Sequence, residues 1–136
     1  MKKMCSTIVL ASSVLFACLG CFQKQKFVSY PPAEFDRLLK GDDSIQVVDV
    51  RRPDEYVTGH ISNAMLIDVS DSLFMVKANL LLHKSQPVAV YCRSGNRSKV
   101  AAKLLVEQGF KVYELEGGFL AWLAYLKSIE KPMIDD

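Results

Sequence analysis

Apolar residues recur over residues 27–130 with two alternating periods. Short, dense apolar runs predict strands at 45–50, 64–67, 87–91 and 111–115, with a first strand near 27–29. Between them, apolar positions repeat at three and four residues. Pro31-Pro32-Ala33-Glu34 opens a helix: Pro suits a first turn, and Glu34 and Asp36 suit the positive helix end. Phe35, Leu38 and Leu39 form its apolar stripe, and Gly41 ends it. Residues 72–82 carry helical spacing, with Leu73, Val76 and Leu80 expected on the inner side. Residues 98–108 are amphipathic: Val100, Ala101, Leu104 and Leu105 are expected to face inward, and Lys99, Lys103 and Glu107 to face solvent, before Gly109 caps the helix. Residues 118–127 form the last helix, with Trp122 assigned to the core beside Phe119 and Leu126. The run at 87–91 is apolar on both faces, as in the middle of a parallel sheet. Strands alternating with helices predict an α/β fold: a central, mainly parallel five-stranded sheet with helices on both faces.

The first twenty residues follow another pattern. Lys2 and Lys3 precede an apolar or small run over residues 8–20. That run is shorter than the roughly 20 residues a membrane span needs. Its charge order and length fit a secretory signal, with a buried N-terminal strand as the alternative. Residues 15–21 resemble a bacterial lipobox, with Cys18 and Cys21 as lipidation candidates and Gly20 favouring Cys21. The expectation is a lipoprotein-type signal at 1–20, cleaved before Cys18 or Cys21. Residues 22–30 then form a polar tether leading into the first strand, and the domain occupies 27–130. The protein would be exported from a bacterial cytoplasm and lipid-anchored, facing the periplasm or on an outer membrane. Each buried acyl methylene contributes about 0.8 kcal/mol, so two chains or more anchor firmly.

With 136 residues, half of them hydrophobic and 24% charged, the chain is one domain able to bury a core without a metal or disulfide staple. The net charge of +2 falls to zero once Lys2 and Lys3 leave with the leader, and no basic run occurs. Nucleic acid is therefore not an expected partner.

The cysteines sharpen the picture. Cys5, Cys18 and Cys21 lie in or at the end of the leader, so the body keeps one thiol, Cys92. A lone thiol in an exported domain is either an inert buried hydrophobe or reactive. Cys92 ends the 87–91 strand and begins the connection Cys92-Arg93-Ser94-Gly95-Asn96-Arg97-Ser98 to the next helix. A strand end feeding a helix start is where α/β folds place ligands, and the first turn presents unpaired N–H groups. Gly95 and Asn96 tolerate unusual backbone angles, so these groups can curl into an anion nest. Ser98 either caps the helix or donates to the sulfur. Lowering a thiol pKa by two units is worth about 2.7 kcal/mol. A helix terminus supplies up to about 1 kcal/mol, which leaves the rest to Arg93, Arg97 and convergent N–H groups.

The loop belongs to a set of separated motifs. Val48-Asp49-Val50-Arg51 stands with Pro53, Glu55 and Tyr56, and Gly59-His60-Ile61 with Ala64. Leu115-Glu116-Gly117-Gly118 stands with Ala121-Trp122. Together with Cys92 to Ser98 they make residues 27–126 resemble the single-domain type of the rhodanese (thiosulfate sulfurtransferase) family. Asn63 stands where the family often has Gly, and Asp68 where Pro often follows. The resemblance implies a rhodanese-like fold and a persulfide relay without metal or cofactor. Cys92 would take the outer sulfur of a donor such as thiosulfate and pass it to a thiol or cyanide, by ping-pong kinetics. By the same resemblance Arg97 and the loop amides from Ser94, Gly95, Asn96 and Ser98 bind the sulfur anion, and Arg93 meets donor oxygens. Asp49, Arg51 and His60 are supporting residues: Arg51 pairs with a carboxylate to fix a loop, and His60 bonds within its turn. His83 is expected at the surface. Gly117 and Gly118 are expected to permit a close approach at a helix start.

Two other readings compete. A Cys-dependent phosphatase of related fold has five residues between Cys and Arg, and this loop has four. A membrane-held persulfide carrier, delivering sulfur to an unknown partner protein, would use the same loop without efficient turnover.

Overall fold

The computed structural model describes residues 26–130. The signal segment at 1–20, the lipidation candidates Cys18 and Cys21, and tether residues 22–25 lie outside the described residues. No described helix is long and apolar enough to cross a membrane.

Five strands, β1 (Val28–Tyr30), β2 (Gln46–Asp49), β3 (Met65–Leu66), β4 (Val88–Tyr91) and β5 (Val112–Leu115), form one sheet in the order β1-β5-β4-β2-β3. Every neighbouring pair is parallel. The helices are α1 (Pro32–Gly41), α2 (Pro53–Val57), α3 (Phe74–Leu81), α4 (Asn96–Glu107) and α5 (Gly118–Glu130). Strand β4 is central, and all four of its residues are buried.

Alternation along the strands divides the core in two. On one face Val48, Val50, Val88, Val90 and Val112 pack with Phe74 and Ala78 of α3 and Ala101, Ala102 and Leu105 of α4. On the other, Ala89, Tyr91 and Leu115 pack with Phe35 of α1 and Trp122 of α5. Trp122 meets Phe35 edge-on, with ring centroids 6.2 Å apart. Cys92 continues the alternation of Val88 and Val90 and falls on the α3/α4 face.

Two helix faces differ from the periodicity reading. Leu73, Val76 and Leu80 face solvent, and Leu80 is 79% exposed. The buried stripe is Phe74, Ala78 and Leu82, four residues apart. Lys77 and Asn79 fall on nearly opposite sides of the helix and split its apolar positions into two stripes, so spacing alone offers either, and the stripe with the larger Phe74 takes the core. In α4, Val100 is exposed, and the small Ala101 and Ala102 lie against the sheet with Leu105. Two alanines let the helix approach closely enough to cover the end of β4.

Helix α2 was not expected. Its five residues hold too few turns for a periodic signal. Its start is nonetheless written locally: Pro53 occupies the first turn, and the Glu55 carboxylate accepts the Arg52 N–H at 3.1 Å.

Candidate active site

The loop after β4 is shaped by three glycines. Gly95 adopts φ +101° and lets the chain turn sharply from Cys92 into α4. Gly117 and Gly118, at φ +73° and +62°, start α5 against that turn. A Cβ on Gly118 would sit 2.6 Å from the carbonyl oxygens of Cys92 and Arg93. The approach is close because the Phe119 N–H donates to the Cys92 carbonyl at 2.7 Å and the Leu120 N–H to the Arg93 carbonyl at 3.1 Å. The expected close approach at this helix start is present.

Cys92 is a free cysteine and 1% exposed. Its Sγ accepts the Gly95 N–H at 3.1 Å and lies 3.4 Å from the Ser98 hydroxyl oxygen. Burial pushes the thiol's pKa up. The Ser98 hydroxyl and the amides of Ser98, Gly95 and Ser94 outweigh that and hold it below its ordinary value. The lowering thus comes chiefly from short neutral donors rather than from the two arginines expected to share it. Ser98 does not cap the helix; Gly95 stands at the cap position.

Arg97, in the first turn of α4, forms a forked pair with Glu55 of α2, at 2.7 and 2.8 Å. Its guanidinium is raised by Glu55 first, and also by the charges of Cys92 and Asp68, which it faces. Glu55 in turn is lowered to about 2 by Arg97, against the opposing effect of burial. Arg93, Ser94 and Asn96 are exposed on the loop's outer side. Among the described residues Arg93 makes no ion pair.

Asp49 and Arg51 lie elsewhere. They sit on the opposite sheet face, where Arg51 grips the Asp49 carboxylate at 2.6 to 3.0 Å and donates to the Gly59 carbonyl at 2.6 Å. The Tyr91 hydroxyl donates to Asp49 at 2.7 Å and accepts the Ile61 N–H at 3.0 Å. The Arg51 guanidinium stacks 4.3 Å from the Phe119 ring centroid. This network fixes the 56–61 turn and reaches the Cys92 loop only from behind, through Tyr91, which precedes Cys92, and Phe119, whose N–H donates to the Cys92 carbonyl. His60 is exposed, stacks on Tyr56 at 3.8 Å, and holds the Tyr56 carbonyl through Nδ1 at 3.0 Å. Asn63 adopts φ +62°, a left-handed position Asn tolerates. His83 is exposed.

Two carboxylates at the site were not singled out as site residues by sequence reasoning. Glu55 stood among the family motifs without a role, and only the hidden helix α2 brings it to Arg97. Glu114, in the middle of β5, is fully buried and accepts hydrogen bonds from Ser98 at 2.7 Å and Ser29 at 2.6 Å. A glutamate inside an otherwise apolar strand was the signal available for it.

Comparison with known proteins agrees with this geometry. The profile of the rhodanese-like domain matches residues 31–125. The chain is 36% identical over 96 residues to thiosulfate sulfurtransferase GlpE of Pseudoalteromonas translucida, covering 68% of this chain and 88% of that protein. It is 41% identical over 83 residues to the same-named protein of Pseudomonas paraeruginosa, covering 60% and 72%. Among solved structures, a rhodanese-related protein from Thermoplasma volcanium superposes with a TM-score of 0.65 at 30% identity, covering 73% of this chain and 93% of that one. With the Cys92 loop at the end of β4, the parallel sheet and the profile matched over residues 31–125, the chain belongs to the family of rhodanese-like domains.

Proposed function

We propose that this domain is a sulfurtransferase that carries a sulfane sulfur on Cys92. The observation that supports it most is the Cys92 sulfur, buried yet held below its ordinary pKa by amides and a hydroxyl at the start of α4. The Cys92 thiolate attacks the outer sulfur of thiosulfate. A new S–S bond forms to Sγ, the donor's S–S bond breaks, and sulfite leaves with its electron pair. A thiol or cyanide then attacks the outer sulfur of the persulfide and returns Cys92 as thiolate. The loop amides that lower the thiol would hold the persulfide anion in the same way. Arg93, exposed beside the loop, is placed to meet the donor's oxygens as they approach, and Arg97, held by Glu55, keeps a fixed positive charge facing the sulfur.

Near-complete burial of Cys92 also favours a second reading, a persulfide carrier with slow turnover. Intact mass spectrometry of the protein after incubation with thiosulfate tests the chemistry. A gain of one sulfur, absent in Cys92→Ala, is expected, and no gain overturns the sulfur reading. Steady-state turnover with thiosulfate and cyanide then separates enzyme from carrier. A detectable persulfide with negligible turnover selects the carrier. Lipid-anchored export, inferred from Cys18, Cys21 and the run before them, is tested by metabolic labelling with a palmitate analogue, and absence of label refutes it.

A further inference from the structure

Strand β5 places a carboxylate where its pattern calls for an apolar side chain. Glu114 lies between the buried Val112 and Leu115 and is itself fully buried. By alternation it faces the α3/α4 side of the sheet, as Val112 and Cys92 do. A carboxylate is costly to bury unless donors meet its oxygens. Oε2 accepts the Ser29 hydroxyl of β1 at 2.6 Å, Oε1 accepts the Ser98 hydroxyl of α4 at 2.7 Å, and Lys99 Nζ stands 3.4 Å from Oε1. Two hydroxyls and an ammonium all donate, so they suit the ionised form.

Ser98, equally buried, is where this charge meets the sulfur. Its hydroxyl has one hydrogen and lies near three acceptors: Glu114 Oε1 at 2.7 Å, the Gly95 carbonyl at 3.0 Å and Cys92 Sγ at 3.4 Å. The ionised oxygen at the shortest distance takes that hydrogen. The sulfur then meets a lone pair, which suits a thiol that donates and not a thiolate that must accept. Ser98 therefore helps the thiolate only as far as Glu114 releases the hydrogen. The N–H groups of Ser94, Gly95 and Ser98 remain the steady donors to sulfur.

We propose that Glu114 is a positioning residue for Cys92: it stays ionised, draws the Ser98 hydrogen away from Sγ and so opposes, together with its own charge, the gathering of negative charge on the sulfur. The loop amides pull one way and the buried carboxylate pulls the other. The consequence for sulfur transfer rests on the reading given above and deepens it. A thiolate loses intrinsic nucleophilicity as its pKa falls, so this restraint keeps Sγ a strong attacker. Once loaded, a persulfide carries its charge on the outer sulfur, one bond further from Glu114, and the restraint eases. Among the described residues few other charges face the pair. From α4, Lys99 faces Glu114 and Arg97 faces the sulfur; Glu55 of α2 pairs with Arg97, and Asp68, before α3, also faces Arg97. Strand β1 brings the Ser29 hydroxyl, and α5 brings main-chain N–H groups to the Cys92 and Arg93 carbonyls.

The test needs no sulfur donor. Thiolate absorbance in the ultraviolet is followed against pH for the full chain, as the difference from the matching Cys92→Ala protein, which cancels the other three cysteines. Glu114→Gln keeps the size and removes the charge. The Cys92 midpoint is then expected to fall by about one pH unit, roughly a tenfold higher ratio of thiolate to thiol at a given pH. Ser98→Ala should raise the midpoint only slightly in the otherwise unsubstituted protein, because the hydrogen it removes is already engaged by Glu114. In the Glu114→Gln background the hydrogen is free to serve the sulfur, and Ser98→Ala should raise the midpoint clearly more. A Glu114→Gln midpoint equal to or above that of the unsubstituted protein overturns the proposal, as does a Ser98→Ala shift of the same size in both backgrounds. Should Glu114→Gln fail to fold, Ser98→Ala alone decides: a rise of about one unit or more overturns the proposal, and a smaller one upholds it. A protein that titrates as expected but takes no sulfur from thiosulfate sinks the sulfur reading alone.

Discussion

At the scale of single residues, the Glu55–Arg97 pair makes the sharpest pH prediction. Glu55 is depressed to about 2 in the folded protein. A depressed carboxyl stabilises the fold above its unfolded pKa, and the contribution is lost as pH falls through the folded value. The window therefore runs from about 4.3 down to about 2. Glu55→Gln is expected to cost about 1–3 kcal/mol at neutral pH, as charge-assisted hydrogen bonds do. Urea unfolding at neutral and acidic pH should show that cost vanish below the window; a cost independent of pH would contradict it. The same variant should raise KM for thiosulfate, because Arg97 loses the partner that fixes its direction. Residue identity made Cys92, Arg97 and Ser98 legible in the sequence, because each type has a narrow chemical use at that spacing. Their partners were less legible. Nothing in the string 92–98 says that Ser98 would turn to a glutamate sixteen residues on, or that Arg97 would be held by Glu55 from across the chain.

At the scale of elements, α3 and the start of α5 carry the tests. Phe74→Ala is expected to cost about 3–5 kcal/mol, as deletion of a buried aromatic does. Leu80→Ala should stay within about 0.5 kcal/mol, because Leu80 faces solvent. The reverse order in denaturant unfolding would restore the stripe expected from spacing. Gly118→Ala places a methyl 2.6 Å from backbone atoms at φ +62°. Strain at such a position costs about 1–3 kcal/mol, and the clash with the Cys92 carbonyl adds to it. Lower stability together with slower persulfide formation in mass spectrometry is the expected result. The strands were readable because β4 is apolar on every residue, a pattern that a central parallel strand alone requires. The inward face of α3 was not, since Lys77 and Asn79 leave two apolar stripes and the choice between them is made by side-chain volume and not by period. Helix α2 fell below the length at which period exists.

At the scale of the whole molecule, the sheet separates two tasks. The α3/α4 face carries Cys92, Ser98 and Glu114, and the other carries the Asp49–Arg51–Tyr91 network. Asp49→Ala leaves Arg51 buried without its partner, and breaking such a pair costs about 3–5 kcal/mol. Thermal and urea unfolding should show that loss, while sulfur uptake per folded molecule stays near that of the unsubstituted protein. A Cys92 that loses sulfur uptake in folded Asp49→Ala would show the two faces to be coupled. The parallel α/β class followed from alternation alone, whereas the division of labour between faces needed side-chain positions that alternation only hints at.

The Phe119 and Leu120 amides that clasp the carbonyls of Cys92 and Arg93 lie more than twenty-five residues further along the chain. During synthesis the ribosome releases the thiol well before it releases those amides. A nascent chain therefore carries Cys92 with its loop unfinished, and the residue becomes a competent sulfur carrier only after α5 has emerged and docked.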